Sequence, residues 1–300
     1  NVWKRALKED TLTVRASNAL YVYPDMPFDQ QMADLKALHS NDRKSLLRFN
    51  QAKIYVDGIL EQRTGAMLEP YVKGPGIDHG FDSGFLYFEE STLDRYSQEL
   101  AEAGFQLHYH VTGDRGARLA LDAIAKSDAG PGPHRLTHLY SMDKDDLPRF
   151  AELNVVADLQ LAPSSLDSEY NASIREFIGD RAGYMMPAAS LENAGALVTL
   201  SSDFDADELS PLVKIQAALE RPEEGAPDVQ TAIKWMTINP ANLLQQDDKT
   251  GSLEVGKFAD LVVIDQDITE IPVSRIGRAK VTATLLQGEP VYDPDEQFAE

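Results

Sequence analysis

The chain contains six histidines and no cysteine. A catalytic metal would therefore have to be held by imidazole, carboxylate or a modified lysine, and no disulfide is available. His39 lies in a polar helix-like stretch and His79 in a glycine-rich segment, and both are expected to be exposed. His108 and His110 stand two apart on one strand, so they share a face. Phe105, Leu107, Tyr109 and Val111 take the opposite, helix-contacting face, which turns both histidines inward. His110 is nearest the strand's C-terminal end, His134 begins the next strand, and His138 ends it. Asp203 follows the run Leu197–Ser202, and Lys53 sits in the short strand around residues 52–57. A His, a His and an Asp thus stand at the C-terminal ends of three strands, the rim on which barrel enzymes build active sites. Imidazole and carboxylate converging there are what a hydrolytic Zn²⁺-type site requires. A core histidine satisfied by backbone is the commoner fate of any one of these alone; three polar residues at three strand ends weigh against it.

These residues need parallel strands to position them. Short apolar runs alternate with helix-like segments, the mark of α/β architecture. Strands are expected at Leu12–Tyr23, Lys53–Asp57, Phe105–Val111, His134–Leu139, Val155–Leu161 and Leu197–Ser202. Helices are expected at Arg115–Lys126, Lys144–Leu153, Leu191–Ala194, Pro211–Leu219 and Thr231–Leu244, with Asp143 as an N-cap and Gly195 at a C-cap. The segment from Leu68 to Ser91 carries Gly74, Gly76, Gly80, Gly84, Pro70 and Pro75, with Gly65 just upstream. Such a connection is a functional loop or lid, or equally a solvated insertion. After about Leu244 the texture changes: residues 251–265 read as turn, short strand, turn and buried strand, and residues 281–292 as a hairpin. Six strands are two short of a closed eight-stranded barrel, and an open doubly wound sheet could also have six. No Gly-rich phosphate loop follows any strand, which weakens a nucleotide-binding reading.

The 300 residues suffice for one large core or two domains. A formal charge of -21 disfavours nucleic acid and anionic membranes, which select basic surfaces. No apolar stretch approaches the roughly 18 residues of a membrane span. No leader is visible, so the compartment stays open: cytoplasmic, or periplasmic where a leader precedes.

At the same residues the sequence resembles the amidohydrolase superfamily, specifically its family 3 branch, from about Lys4 to Asp293. Val56-Asp-Gly58 with Arg63-Thr64 resembles the branch's lysine-strand motif, and His110-Val-Thr-Gly-Asp114 its fifth-strand motif. His134-Arg-Leu-Thr-His138 is similar to the sixth-strand motif, and Ser202-Asp203 with Pro211-Leu212 to the eighth. Thr237-Ile-Asn-Pro-Ala241 and the segment Gly251–Asp260 look like the superfamily's tail, which ties barrel to β-sandwich.

The resemblance implies a (β/α)₈ TIM-type barrel, strands 3–8 present and the first strands missing. Residues 1–243 would form the barrel part and 244–300 a composite β-sandwich. It implies two divalent metals, zinc by preference: Lys53, carboxylated by CO₂, bridging both, His110 and His138 on the second, and Asp203 on the first. Asp203 would also be the general base toward the hydroxide. The branch's strand-1 His-x-His has no counterpart before Leu12, and Thr137 stands where a Glu commonly precedes the sixth-strand His. His108 would lie a layer deeper than the ligands. The implied activity is hydrolysis of a carbon–nitrogen bond in an amide, cyclic amide or N-acyl compound. The alternatives are deamination, or a non-catalytic fragment or binding module. Without a strand-1 pair the chain is expected to hold metal weakly or not at all, or one ion at His110 and His138, and not to hydrolyse by itself. The expected partner is a small-molecule substrate; self-association stays open.

Overall fold

The computed structural model describes residues 2–72, 82–127, 130 and 132–298. His79, Gly74, Pro75, Gly76 and Gly80 lie outside the described residues.

Alternation dictates the sheet. In Gln106–Val111 the apolar Leu107, Tyr109 and Val111 are fully buried, while Gln106, His108 and His110 take the other face. Six such strands, β1 (Ala16–Val22), β2 (Leu47–Tyr55), β3 (Gln106–Val111), β4 (His134–His138), β5 (Val155–Leu159) and β6 (Val198–Leu200), pair in parallel in chain order. A consecutive order has no switch point, so right-handed crossovers place the helices on one face. This is the winding of a barrel rather than of a doubly wound sheet. Among the described residues β1 and β6 are edges and do not pair with each other. Helices Glu90–Glu102 and Asp114–Lys126 bury Leu93, Tyr96 and Leu100, and Ala117, Ala120, Leu121 and Ile124, in the core against the outward strand residues. Each large side chain so buried contributes about 1.5–3 kcal/mol. Tyr109 and Ser97 share a 2.6 Å hydroxyl hydrogen bond across that layer.

β1 starts at Ala16 rather than Leu12, and β2 starts at Leu47, six residues before Lys53. The helix expected over 231–244 breaks into Val229–Met236 and Ile238–Leu243. Pro240 is the reason: it has no N–H to give the Met236 carbonyl and its ring clashes there. Asp143 caps as expected, its side chain accepting from the Asp145 N–H, although the first turn is a tight 3₁₀ helix. Gly195 follows its helix at φ 89°, a conformation that favours glycine.

The C-terminal segment forms a separate three-stranded antiparallel sheet: β7 (Leu261–Ile264), β8 (Val281–Leu286) and β9 (Glu289–Tyr292). Gln287 and Gly288, at φ 57° and 90°, make the two-residue turn of the β8–β9 hairpin. Two expectations fail here. The short strand near Leu253 does not form, and Leu253 and Val255 are exposed. β7 is not buried, because Val262 faces solvent from a sheet with only one covered side.

Candidate functional site

Strand register builds the site. Lys53 pairs with His108, His108 with Arg135, and His110 with Thr137, so these side chains line the inner face with Tyr55, Asp158 and Gln160. His138 pairs with Val111, and alternation alone would send it to the helix side. The chain turns there: His138 has φ 86° and Leu139 φ 52°. His138 is thereby brought edge-on to His110, ring centroids 4.5 Å apart. Non-glycine residues at positive φ are costly and cluster at functional sites. Asp203, three residues beyond β6, is a third such residue at φ 49°.

The loops meet on a buried carboxylate. Asp57 accepts the backbone N–H groups of Ala66, Thr112 and Gly113 at 2.8, 2.9 and 2.8 Å, fixing the ends of β2 and β3 together. Burial pushes its carboxyl up to about 7, against the three donors, which favour the anion. A side chain at Gly113 would put a Cβ 2.0 Å from the Ala66 carbonyl oxygen, hence glycine in His110-Val-Thr-Gly-Asp114.

This bracket presents the Gly58 carbonyl to His110, whose Nε2 donates to it at 2.9 Å. The lone pair of His110 is then on Nδ1, which is buried and has no hydrogen-bond partner. His138 is the mirror case: Nδ1 donates to Gln160 Oε1 at 2.8 Å, leaving the lone pair on Nε2. Gln160 is held in turn by Ser201 at 2.7 Å. Burial lowers both imidazoles to about 3, followed by the neighbouring His138 at His110 and by Lys53 at His138. Both are therefore neutral, the form that binds a metal.

Lys53 Nζ lies 2.9 Å from His108 Nε2. Arg135 Nη2 donates to His108 Nδ1 at 2.8 Å. A guanidinium only donates, so the His108 proton is on Nε2, facing Lys53 and the Thr137 hydroxyl, each 2.9 Å away. Burial, then the Arg135 charge, lowers Lys53 to about 7, so a large neutral fraction exists at neutral pH. Asp158 anchors the network through Arg135 (3.2 Å) and Thr199 (3.0 Å). His108 lies one layer below His110 on β3, as expected, and shares that layer with Lys53, its register partner.

Asp203 and His138 line a cavity of about 200 Å³, with Glu61, Tyr140, Gln160 and Tyr170. Tyr170 donates to Glu61 at 2.6 Å. Among the described residues no three His, Asp or Glu side chains approach closely enough to hold an ion. The fit is thus with the His110–His138 pair, and Asp203 stands on the cavity wall beside it. His134 sits at the opposite end of β4, its Nδ1 accepting the Leu107 N–H at 3.0 Å. His39 is half-buried rather than exposed, its Nε2 3.2 Å from the Gly104 carbonyl and its ring against Phe105. Arg135, Gln160 and Tyr55 escaped the sequence reading. Arg135 shared an inward register with His108, a signal that needed the strand pairing to be read.

The amidohydrolase family profile matches residues 1–292. The Bacillus subtilis protein YtcJ, named an amidohydrolase, is 27% identical over 82% of this chain and 48% of its own. The N-substituted formamide deformylase of Arthrobacter pascens is 25% identical over 95% of this chain and 56% of its own. The chain thus spans about half the length of these relatives. A solved metal-dependent hydrolase from Pyrococcus horikoshii shares the fold at a TM-score of 0.76, with 22% identity over 91% of this chain and 55% of the other. With the profile covering nearly every residue, the chain belongs to the amidohydrolase family.

Proposed function

We propose that the protein is a metal-dependent hydrolase of carbon–nitrogen bonds in amides, cyclic amides or N-acyl compounds. The observation that carries this reading is the histidine pair, each locked by one hydrogen bond and each keeping one lone pair. Such partners orient ligating histidines and raise their basicity. His110 through Nδ1 and His138 through Nε2 would hold a divalent ion, zinc by preference. A bound ion would lower the pKa of a water and polarise the scissile carbonyl. Asp203, on the same cavity wall, would take that water's proton and pass it to the leaving nitrogen. Lys53, beside His108, would react with CO₂ through its neutral amine, release one proton and so offer a carboxylate ligand for a divalent ion. Among the described residues no further His, Asp or Glu cluster completes a second position. Ion binding at His110 and His138 without turnover is therefore expected until both positions are filled.

The sheet is proposed to be part of a (β/α)₈ barrel whose closure joins β1 and β6 through further strands, with residues 1–243 in that domain. Residues 244–300 are proposed as part of a composite β-sandwich. The names of the Arthrobacter deformylase and of imidazolonepropionases, 25–29% identical to this chain, support C–N hydrolysis. The test is carboxylate release from N-acyl and amide substrates by protein with both positions filled. Asp203→Asn is expected to lower kcat by roughly 10²–10⁴-fold. Ammonia release from amino-heterocycles with amides untouched would instead establish deamination.

A further inference from the structure

An aromatic wall adjoins His110. Tyr55, at the C-terminal end of β2, stacks on His110 with ring centroids 4.1 Å apart and planes 16° from parallel. Tyr21 of β1 packs on Tyr55 at 5.5 Å and on Tyr23 at 4.6 Å, and Tyr87 reaches Tyr55 at 6.5 Å and Phe85 at 5.0 Å. Five rings therefore run without interruption from the rim to a candidate metal ligand. In the interior of a fold such a cluster would be ordinary packing. Here Tyr87, which is not on the edge strand β1, keeps 42% of its surface exposed. Contiguous exposed apolar surface marks a binding site more often than chance exposure does.

The geometry also selects the ligand. The Tyr21–Tyr23, Tyr55–Tyr87 and Phe85–Tyr87 pairs cross at 70°, 83° and 83°, forming a stepped surface of faces and edges. A flat ring laid on it gains stacking on one tyrosine and edge contacts with the next, whereas a puckered aliphatic ring gains only area burial. The tyrosines also carry phenol hydroxyls, which can hydrogen-bond a heteroaromatic nitrogen or oxygen. The Tyr55 stack fixes where such a ring ends, next to His110 and Lys53, whose Nζ lies 5.3 Å from the Tyr55 ring centroid.

We infer that Tyr21, Tyr23, Tyr55 and Tyr87 form a subsite for an aromatic or heteroaromatic group carried by the substrate next to its scissile bond. The inference rests on the hydrolase reading only for the identity of that bond; the ring preference is a property of the wall itself.

Benzamide and cyclohexanecarboxamide, which differ in ring flatness, are the probes. Their dissociation constants follow from titrations monitored by tyrosine ring NMR signals. Benzamide is expected to bind roughly 2- to 10-fold more tightly. Tyr21→Leu and Tyr87→Leu should each erase the preference, while Tyr87→Phe, which keeps the ring, should retain it. Equal affinities, binding of neither amide, or a preference surviving both leucine variants would overturn the subsite. A Zn²⁺ titration of the same samples, read at His110 and His138, reports separately on the hydrolase reading. Loss of Zn²⁺ binding with the ring preference intact would sink the hydrolase chemistry and leave the subsite standing.

Discussion

His110 and His138 hold their protons in opposite senses, one donating through Nε2 to a backbone carbonyl and the other through Nδ1 to a glutamine. The distinction predicts unequal sensitivity to mutation. The Gly58 carbonyl cannot be removed by a side-chain change, but Gln160 can. Gln160→Leu would free the His138 ring to rotate or change tautomer, and is expected to weaken divalent-ion binding about 10- to 100-fold with little loss of fold stability. Calorimetric titration with Zn²⁺ checks this, and unchanged affinity would show that Gln160 does not orient the ring. The position of His110 near the C-terminal end of its strand was legible from apolar alternation. Lys53, expected to open a strand, instead lies two residues before the end of β2, and Asp203 lies three residues past β6. The inward turn of His138 was not legible, because it depends on a positive φ that no pattern announces. Nor was the Lys53–His108 contact, which follows from register rather than from the spacing within either strand.

At the scale of elements, the base of β4 is tied to β3 through a histidine that must stay neutral. Burial lowers His134 to about 4, and its Nδ1 must keep a lone pair to accept the Leu107 N–H. An imidazole lowered on folding takes up protons more readily in the unfolded chain. Its stabilising contribution is therefore complete above about 6.5 and is lost as pH falls toward 4. The loss amounts to up to about 3 kcal/mol. His134→Asn, which keeps an acceptor but does not titrate, is expected to flatten this part of the stability profile in urea unfolding at pH 7 and pH 4.5. Parallel profiles for the two proteins would contradict it. Strands β3, β5 and β6 were readable because each buries an uninterrupted set of outward apolar residues. The failures came where that logic lapses: the helix stopped by Pro240, and the exposed Leu253 and Val255, whose apolar character suggested a strand.

Across the whole molecule, the two sheets are joined by a partly buried ion pair between Arg15, just before β1, and Asp260, just before β7. Asp260 also accepts the Gln287 N–H at 2.8 Å, so one carboxylate serves both the β8–β9 turn and the large sheet. Arg15→Ala leaves that carboxylate without its cation and is expected to cost about 1–3 kcal/mol. The loss should show first as faster proteolysis within residues 261–292, with cleavage of the large sheet unchanged. Equal rates at both sheets would mean the pair does not anchor the C-terminal strands. Among the described residues no helix is long and apolar enough to cross a membrane. The acidic charge of -21 coexists with an inner face that carries Lys53 and Arg135 within one hydrogen-bonded network. The central claim is that this inner face presents two neutral imidazoles to one divalent ion. Zn²⁺ titration of the wild type, His110→Ala and His138→Ala tests it most directly. The account predicts one ion per wild-type chain and loss of that binding in either variant. Stoichiometric binding that survives both substitutions, or none in the wild type, would contradict it.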